Sequence, residues 1–117
     1  MKIIVVDDET VIADIIVESI EDEGLEAKAL YSGNQAIKYL QSNTADLILS
    51  DIKMPDGTGV DLLDWVVKSN NKNPVMFMSG FSEFSSEELL AKGAVKIFSK
   101  PINFDDVIKE MLDYLNK

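Results

Sequence analysis

Four short apolar runs in this chain each end on polar residues of related chemistry, and a helical pattern follows every one of them. Ile3-Ile4-Val5-Val6 ends on Asp7 and Asp8, and Leu47-Ile48-Leu49-Ser50 ends on Asp51. Val75-Met76-Phe77-Met78 ends on Ser79, and Ile97-Phe98-Ser99 ends on Lys100. Runs this short and this apolar read as strands buried on both faces. With a weaker strand pattern at residues 26–30 they make five strands alternating with five helices. That alternation predicts an α/β fold, a doubly wound five-stranded parallel sheet with right-handed crossovers and helices on both faces. Open sheets of this kind place their sites outside the carboxyl ends of the strands. Three carboxylates, a hydroxyl and an ammonium are therefore expected along one edge, a set able to hold a divalent metal and receive a phosphoryl group.

The elements follow from periodicity and capping. Residues 2–6 read as a strand, and residues 10–23 as a helix with Ile12, Ile16 and Ile20 on one face, capped by Thr10 and stopped by Gly24. Residues 26–30 alternate weakly, as a shorter strand nearer an edge would. Ser32-Gly33 opens a helix carrying Ala36, Ile37 and Leu40, and residues 46–50 form the next strand. Met54-Pro55-Asp56-Gly57-Thr58-Gly59 is a loop by its turn residues. The helix after it carries Leu62, Leu63, Val66 and Val67 and ends at Asn70-Asn71-Lys72-Asn73-Pro74. Strands at 75–78 and 95–98 flank a short helix that begins with a capping box, Ser85 with Glu88, and ends near Gly93. The last helix, near 103–115, is the clearest amphipath and is capped by Asn103. Trp65 falls on the third helix, as a core or interface residue.

With 117 residues the chain has the length of one domain. Its net charge is −10, every basic residue is lysine, and histidine and cysteine are absent. No basic footprint for direct nucleic-acid binding exists. Without histidine, Ser-His-Asp catalysis and His-ligated zinc are excluded, and without cysteine so are disulfides and thiolate metal sites. No apolar run approaches the roughly 20 residues needed to cross a bilayer, so no membrane insertion is expected. The lack of cysteine fits a cytoplasmic protein.

Asp7 and Asp8 could serve as helix-capping acids, but Asp51 is expected beside them. Each like-charge pair at about 4 Å costs on the order of 4 kcal/mol at an effective dielectric of 20. A function that offsets this cost is the better reading, and hard cations prefer oxygen ligands. Mg²⁺ fits best, since it uses one or two carboxylates, several waters and a phosphate.

The string Asp51-Ile52-Lys53-Met54-Pro55-Asp56-Gly57-Thr58-Gly59 resembles the phosphoacceptor segment of response-regulator receiver domains, in which an aspartate is followed by Met-Pro and then a glycine. The acid pair at 7–8, Ser79-Gly80 and Lys100-Pro101 occur in the family's order and spacing, so the resemblance runs from residue 2 to about 115. It implies the CheY-like strand order 2-1-3-4-5 and a set of roles. Asp51 is the phosphorylated nucleophile. Asp8, Asp51 and the backbone carbonyl of Lys53 ligate Mg²⁺, while Asp7 acts largely through a metal-bound water. Lys100 pairs with the phosphoryl group, Ser79 hydrogen-bonds one of its oxygens, and Gly80 leaves it room. The Lys100–Pro101 peptide is expected to be cis. Lys53 and Phe81 stand beside the site, where side chains bear on the hydrolysis rate. The implied donor is a sensor histidine kinase or phosphotransfer protein. The implied output is altered binding of a downstream target protein, by a monomer or weak homodimer. One departure is clear: where the family usually carries an aromatic residue, three positions before the lysine, this chain has Ile97. Phe98 should point to the opposite face of its strand, into the core.

With one helix after Lys100, residues 1–117 are expected to form a single stand-alone receiver domain that is not an enzyme in its own right. Three alternatives compete. A phosphorylation-independent pseudo-receiver is kept open by Ile97. An aspartyl-phosphate hydrolase of the haloacid-dehalogenase kind would need an acid where Lys53 stands. A flavodoxin-like nucleotide binder would meet repulsion from Asp7-Asp8-Glu9.

Overall fold

The computed structural model of the chain describes residues 2–69, 73–80 and 84–116. Strands and helices alternate throughout: β1 Lys2–Val6, α1 Thr10–Asp22, β2 Glu26–Leu30, α2 Gly33–Leu40, β3 Leu47–Asp51, α3 Gly59–Lys68, β4 Val75–Ser79, α4 Ser86–Lys92, β5 Lys96–Ser99 and α5 Phe104–Leu115. Every strand pair is parallel and the order is β2-β1-β3-β4-β5. The fold is thus the doubly wound α/β sheet that the alternation predicts, in the order that the resemblance implies.

The period of two along each strand divides the core. Ile4, Val6, Ile48 and Phe77 face a cluster completed by α2, α3 and α4. Ile3, Val5, Leu49 and Met78 face a second cluster completed by α1 and α5. The central strands β1, β3 and β4 are therefore apolar on both faces, which is why their runs are unbroken. Phe98 is half-buried against the α1/α5 cluster and Ile97 against the other, on opposite faces as expected. Trp65 is half-buried against the α2–α4 cluster.

β2 is an edge strand, with Glu26 and Lys28 exposed, but it has five residues like β1 and is not shortened. Two of the predicted caps hold, at Ser85 and Asn103, and Ser32, which opens α2, supplies a third. Ser32 accepts from the Gln35 amide, Ser85 and Glu88 form both bonds of their capping box, and Asn103 accepts from the Asp106 amide. The short α4 depends most on its cap. We expect Ser85→Ala to destabilise the protein by about 1 kcal/mol, measured by urea unfolding. Thr10 does not cap α1: it is the first helical residue, and Glu9 takes the cap position without a side-chain bond. The reason lies one step upstream, where the Asp7 carboxylate accepts from the Glu9 amide at 2.9 Å. α3 ends at its cap residue Ser69, so the predicted terminator Asn70-Asn71-Lys72 lies outside the described residues, as does Phe81.

Candidate functional site

β1, β3 and β4 end level with one another. Val6 pairs with Ser50, and Asp51 pairs with Met78, so Asp7 follows directly on one side of Asp51 and Ser79 on the other. One carboxylate oxygen from each of Asp7, Asp8 and Asp51 lies within 4.8 Å of the others. Asp7 is 1% exposed and Asp51 6%, whereas Asp8 faces solvent. The edge predicted from the four strand endings is therefore a physical cluster with two buried walls and one open side.

The bonds within the cluster are unequal. Asp51 Oδ1 accepts from the Ile52 amide at 2.8 Å, and Asp51 Oδ2 accepts from Lys100 Nζ at 3.0 Å. Asp7 Oδ1 accepts from the Glu9 amide, but Asp7 Oδ2 is buried with no hydrogen-bond partner. An ionised oxygen left bare in a protein interior is costly. Burial accordingly pushes the Asp7 carboxyl up to about 6; the Glu9 amide opposes this, the Asp51 charge adds to it, and Lys100 opposes it. Burial also works against the charge of Lys100, but its hydrogen bond and attraction to Asp51 outweigh that, and its pKa is raised. Three carboxylates with converging oxygens, among them Asp7 with its Oδ2 lacking a donor, suit a hard divalent cation.

The other predicted residues flank this centre. Ser79 is half-buried at the end of β4, and its carbonyl accepts from the Lys100 amide at 2.9 Å. Lys100 is thus held at the edge by its backbone as well as by its side chain. The Lys100–Pro101 peptide is cis, as expected. A Cβ on Gly80 would stand 3.3 Å from Lys100 Cδ, so the glycine makes room for the lysine stem. The side chain of Lys53 is exposed, in the loop that follows β3.

A model of the response regulator receiver domain matches residues 3–112. The chain belongs to this family. The regulatory protein VanRc of Enterococcus gallinarum is 30% identical over 116 residues, covering 99% of this chain and 50% of that protein. The DNA-binding transcriptional regulator NtrC of Proteus hauseri is 31% identical over 105 residues, covering 89% of this chain and 22% of that protein. The solved structure of the Francisella response regulator 1452 receiver domain matches with a TM-score of 0.92 and 28% identity, over 98% of this chain and 96% of that one. The receiver thus spans half or less of the length of these two curated relatives. It is a signalling domain of the two-component response-regulator kind, with the acidic pocket in which this family typically uses Mg²⁺.

One part of the receiver's site was not anticipated. Asp56, read from sequence only as a turn residue, accepts from Ser32 Oγ at 3.0 Å and from Asn34 Nδ2 at 2.9 Å. These bonds tie the loop after Asp51 to the start of α2. The available signal was Asp56-Gly57, a turn pair whose acid has no partner nearby in sequence. Among the described residues no helix is long and apolar enough to cross a membrane.

Proposed function

We propose that residues 1–117 act as one receiver unit that takes a phosphoryl group on Asp51 from a phosphohistidine. The donor is a sensor histidine kinase or a phosphotransfer protein in the cytoplasm, and the phosphorylated form binds a target protein that the resting form binds poorly. The observation that carries this reading is the placement of Asp51: buried, one oxygen on the Lys100 ammonium, and within a 4.8 Å cluster with two further acids. A carboxylate oxygen of Asp51 forms the new O–P bond as the donor's P–N bond breaks, and the leaving imidazole keeps the bonding electrons. Lys100 stays beside Asp51 as the counter-charge for the transferred group. Asp8, Asp51 and the Lys53 carbonyl would hold Mg²⁺, with Asp7 reaching it through water. The ion supplies neutralisation of the charge that gathers at the site.

Incubation with acetyl phosphate and Mg²⁺, read by intact mass, tests this: one phosphoryl group should be added, and none when Mg²⁺ is chelated. An unmodified chain in both arms would favour the pseudo-receiver reading instead.

The output is expected to run through Ser79 and the segment 80–92 rather than through an aromatic rotamer. Ser79 ends the strand beside β3 and is bonded through its carbonyl to Lys100, whereas Ile97 is an aliphatic residue half-buried against the α2–α4 cluster. Ser79→Ala should still be phosphorylated but should lose most of the change in amide exchange over this segment on adding beryllofluoride. Ile97→Val should keep that change. Identical exchange at residues 80–92 with and without beryllofluoride in the wild type would refute the route.

A further inference from the structure

Lys53 lies in a loop that is pinned at two places. At its base, the Gly59 amide donates to the Ile52 carbonyl at 2.8 Å. At its tip, the loop is clamped to the start of α2. The Asp56 carboxylate accepts from Ser32 Oγ and Asn34 Nδ2, the Asp56 carbonyl accepts from the Asn34 amide at 3.1 Å, and the Gly57 carbonyl accepts from the Gly33 amide at 2.9 Å. Ser32 is buried, and its hydroxyl also caps α2 by accepting from the Gln35 amide at 3.0 Å. It can therefore donate to Asp56 while accepting from the helix, which fixes the direction of its proton.

The closeness of this clamp depends on its glycines. A Cβ on Gly33 would lie 2.4 Å from the Gly57 carbonyl oxygen, and one on Gly57 would lie 2.7 Å from the Asn34 nitrogen. Gly57 also has φ of +84°, a conformation that side chains disfavour. Backbone contact this tight leaves the four residues between Ile52 and Gly57 few ways to run.

We propose that Asp56 is a positioning residue that, through its clamp to Ser32 and Asn34, aims the Lys53 carbonyl at the acidic cluster for the divalent ion. This rests on the reading of Lys53 as a metal ligand given above. Asp56 acts through the loop and touches neither the ion nor the phosphoryl group. A carbonyl ligand has no charge to pull it to the metal from a distance, so its contribution depends on where the chain holds it. Partners that orient metal ligands typically change affinity by about 10–100-fold when removed.

Calorimetric titration of Mg²⁺ into the unphosphorylated protein tests the clamp without using activity. Asp56→Ala should weaken Mg²⁺ binding by roughly tenfold, at the low end of that range. Asn34→Ala keeps the net charge and should show a clear part of the loss. Asp56→Asn removes the charge but retains an acceptor, and should bind closer to wild type than Asp56→Ala does. Each is measured well below its melting temperature, so that folding does not enter. Equal weakening by Asp56→Asn and Asp56→Ala would mean that charge alone matters and would overturn the proposal. So would unchanged affinity in Asp56→Ala and Asn34→Ala beside a binding wild type. A wild type without Mg²⁺ affinity would refute the metal site itself, and the clamp's role with it.

Discussion

Asp51→Asn is expected to abolish phosphorylation by acetyl phosphate and by any phosphohistidine donor. The amide is a far weaker nucleophile than the carboxylate it replaces. It also carries no charge to hold Lys100, which in the native protein sits 3.0 Å from Asp51 Oδ2. The loss should not come from unfolding. The asparagine side-chain oxygen can still accept from the Ile52 amide, as Asp51 Oδ1 does at 2.8 Å. The ion pair with Lys100 is partly open to water, with that lysine side chain 32% exposed. Lys100 can therefore turn to water when its partner's charge is removed, and losing one of three clustered acids works in the opposite direction. Melting within a few degrees of wild type, combined with no incorporated phosphoryl group, is the expected pair of results. Full modification of the variant would place the acceptor elsewhere.

Asp7→Asn should stabilise the metal-free protein at neutral pH, and the size of the gain should depend on pH. Burial holds the folded Asp7 carboxyl at about 6, against about 3.9 in an unfolded chain. The native state therefore keeps a proton that the unfolded state has already released, and stability falls as pH rises from about 4 to about 6. Above that window the penalty is complete, on the order of 2–3 kcal/mol. Below pH 4 both states are protonated and the penalty is gone. Asparagine has no charge to bury, so the variant should lose this slope and melt on the order of 5–10 °C higher at pH 7.5. Mg²⁺ should narrow the gap, since binding to the native state stabilises the wild type. Thermal melts at pH 4, 5, 6 and 7.5, with and without Mg²⁺, would measure this. Equal slopes for the two proteins would show that Asp7 is not the strained member of the cluster.

Much of this was legible in the sequence because the central strands are buried on both faces. Val5 and Val6 face different cores, so β1 had to be apolar at every position, and its end at Asp7 is abrupt. The same holds for β3 and β4, and so the strand endings mark the edge in the sequence itself. Element limits were softer: β3 begins at Leu47 and ends on Asp51 itself, and β4 ends on Ser79. In both cases the polar residue still pairs in the sheet, which an apolar pattern does not register. The cap of α1 differs from the sequence expectation because Thr10 is a good capping residue in isolation, while the helix start is set by the Asp7 carboxylate on the Glu9 amide. Asp56 was invisible for a different reason. Its partners Ser32 and Asn34 lie 24 and 22 residues away, and only the packing of the loop against α2 brings them together.

The central claim is that Asp51 accepts the phosphoryl group. It is tested most directly by treating the protein with acetyl phosphate and Mg²⁺, reducing the acyl phosphate with borohydride, and sequencing the tryptic peptides by mass spectrometry. Reduction turns a phosphorylated aspartate into homoserine and so marks the residue itself. Homoserine is expected at position 51 alone, in the peptide running from Tyr39 to Lys53, and only when Mg²⁺ is present. Homoserine at Asp7, Asp8 or Asp56, or at no position, would contradict it.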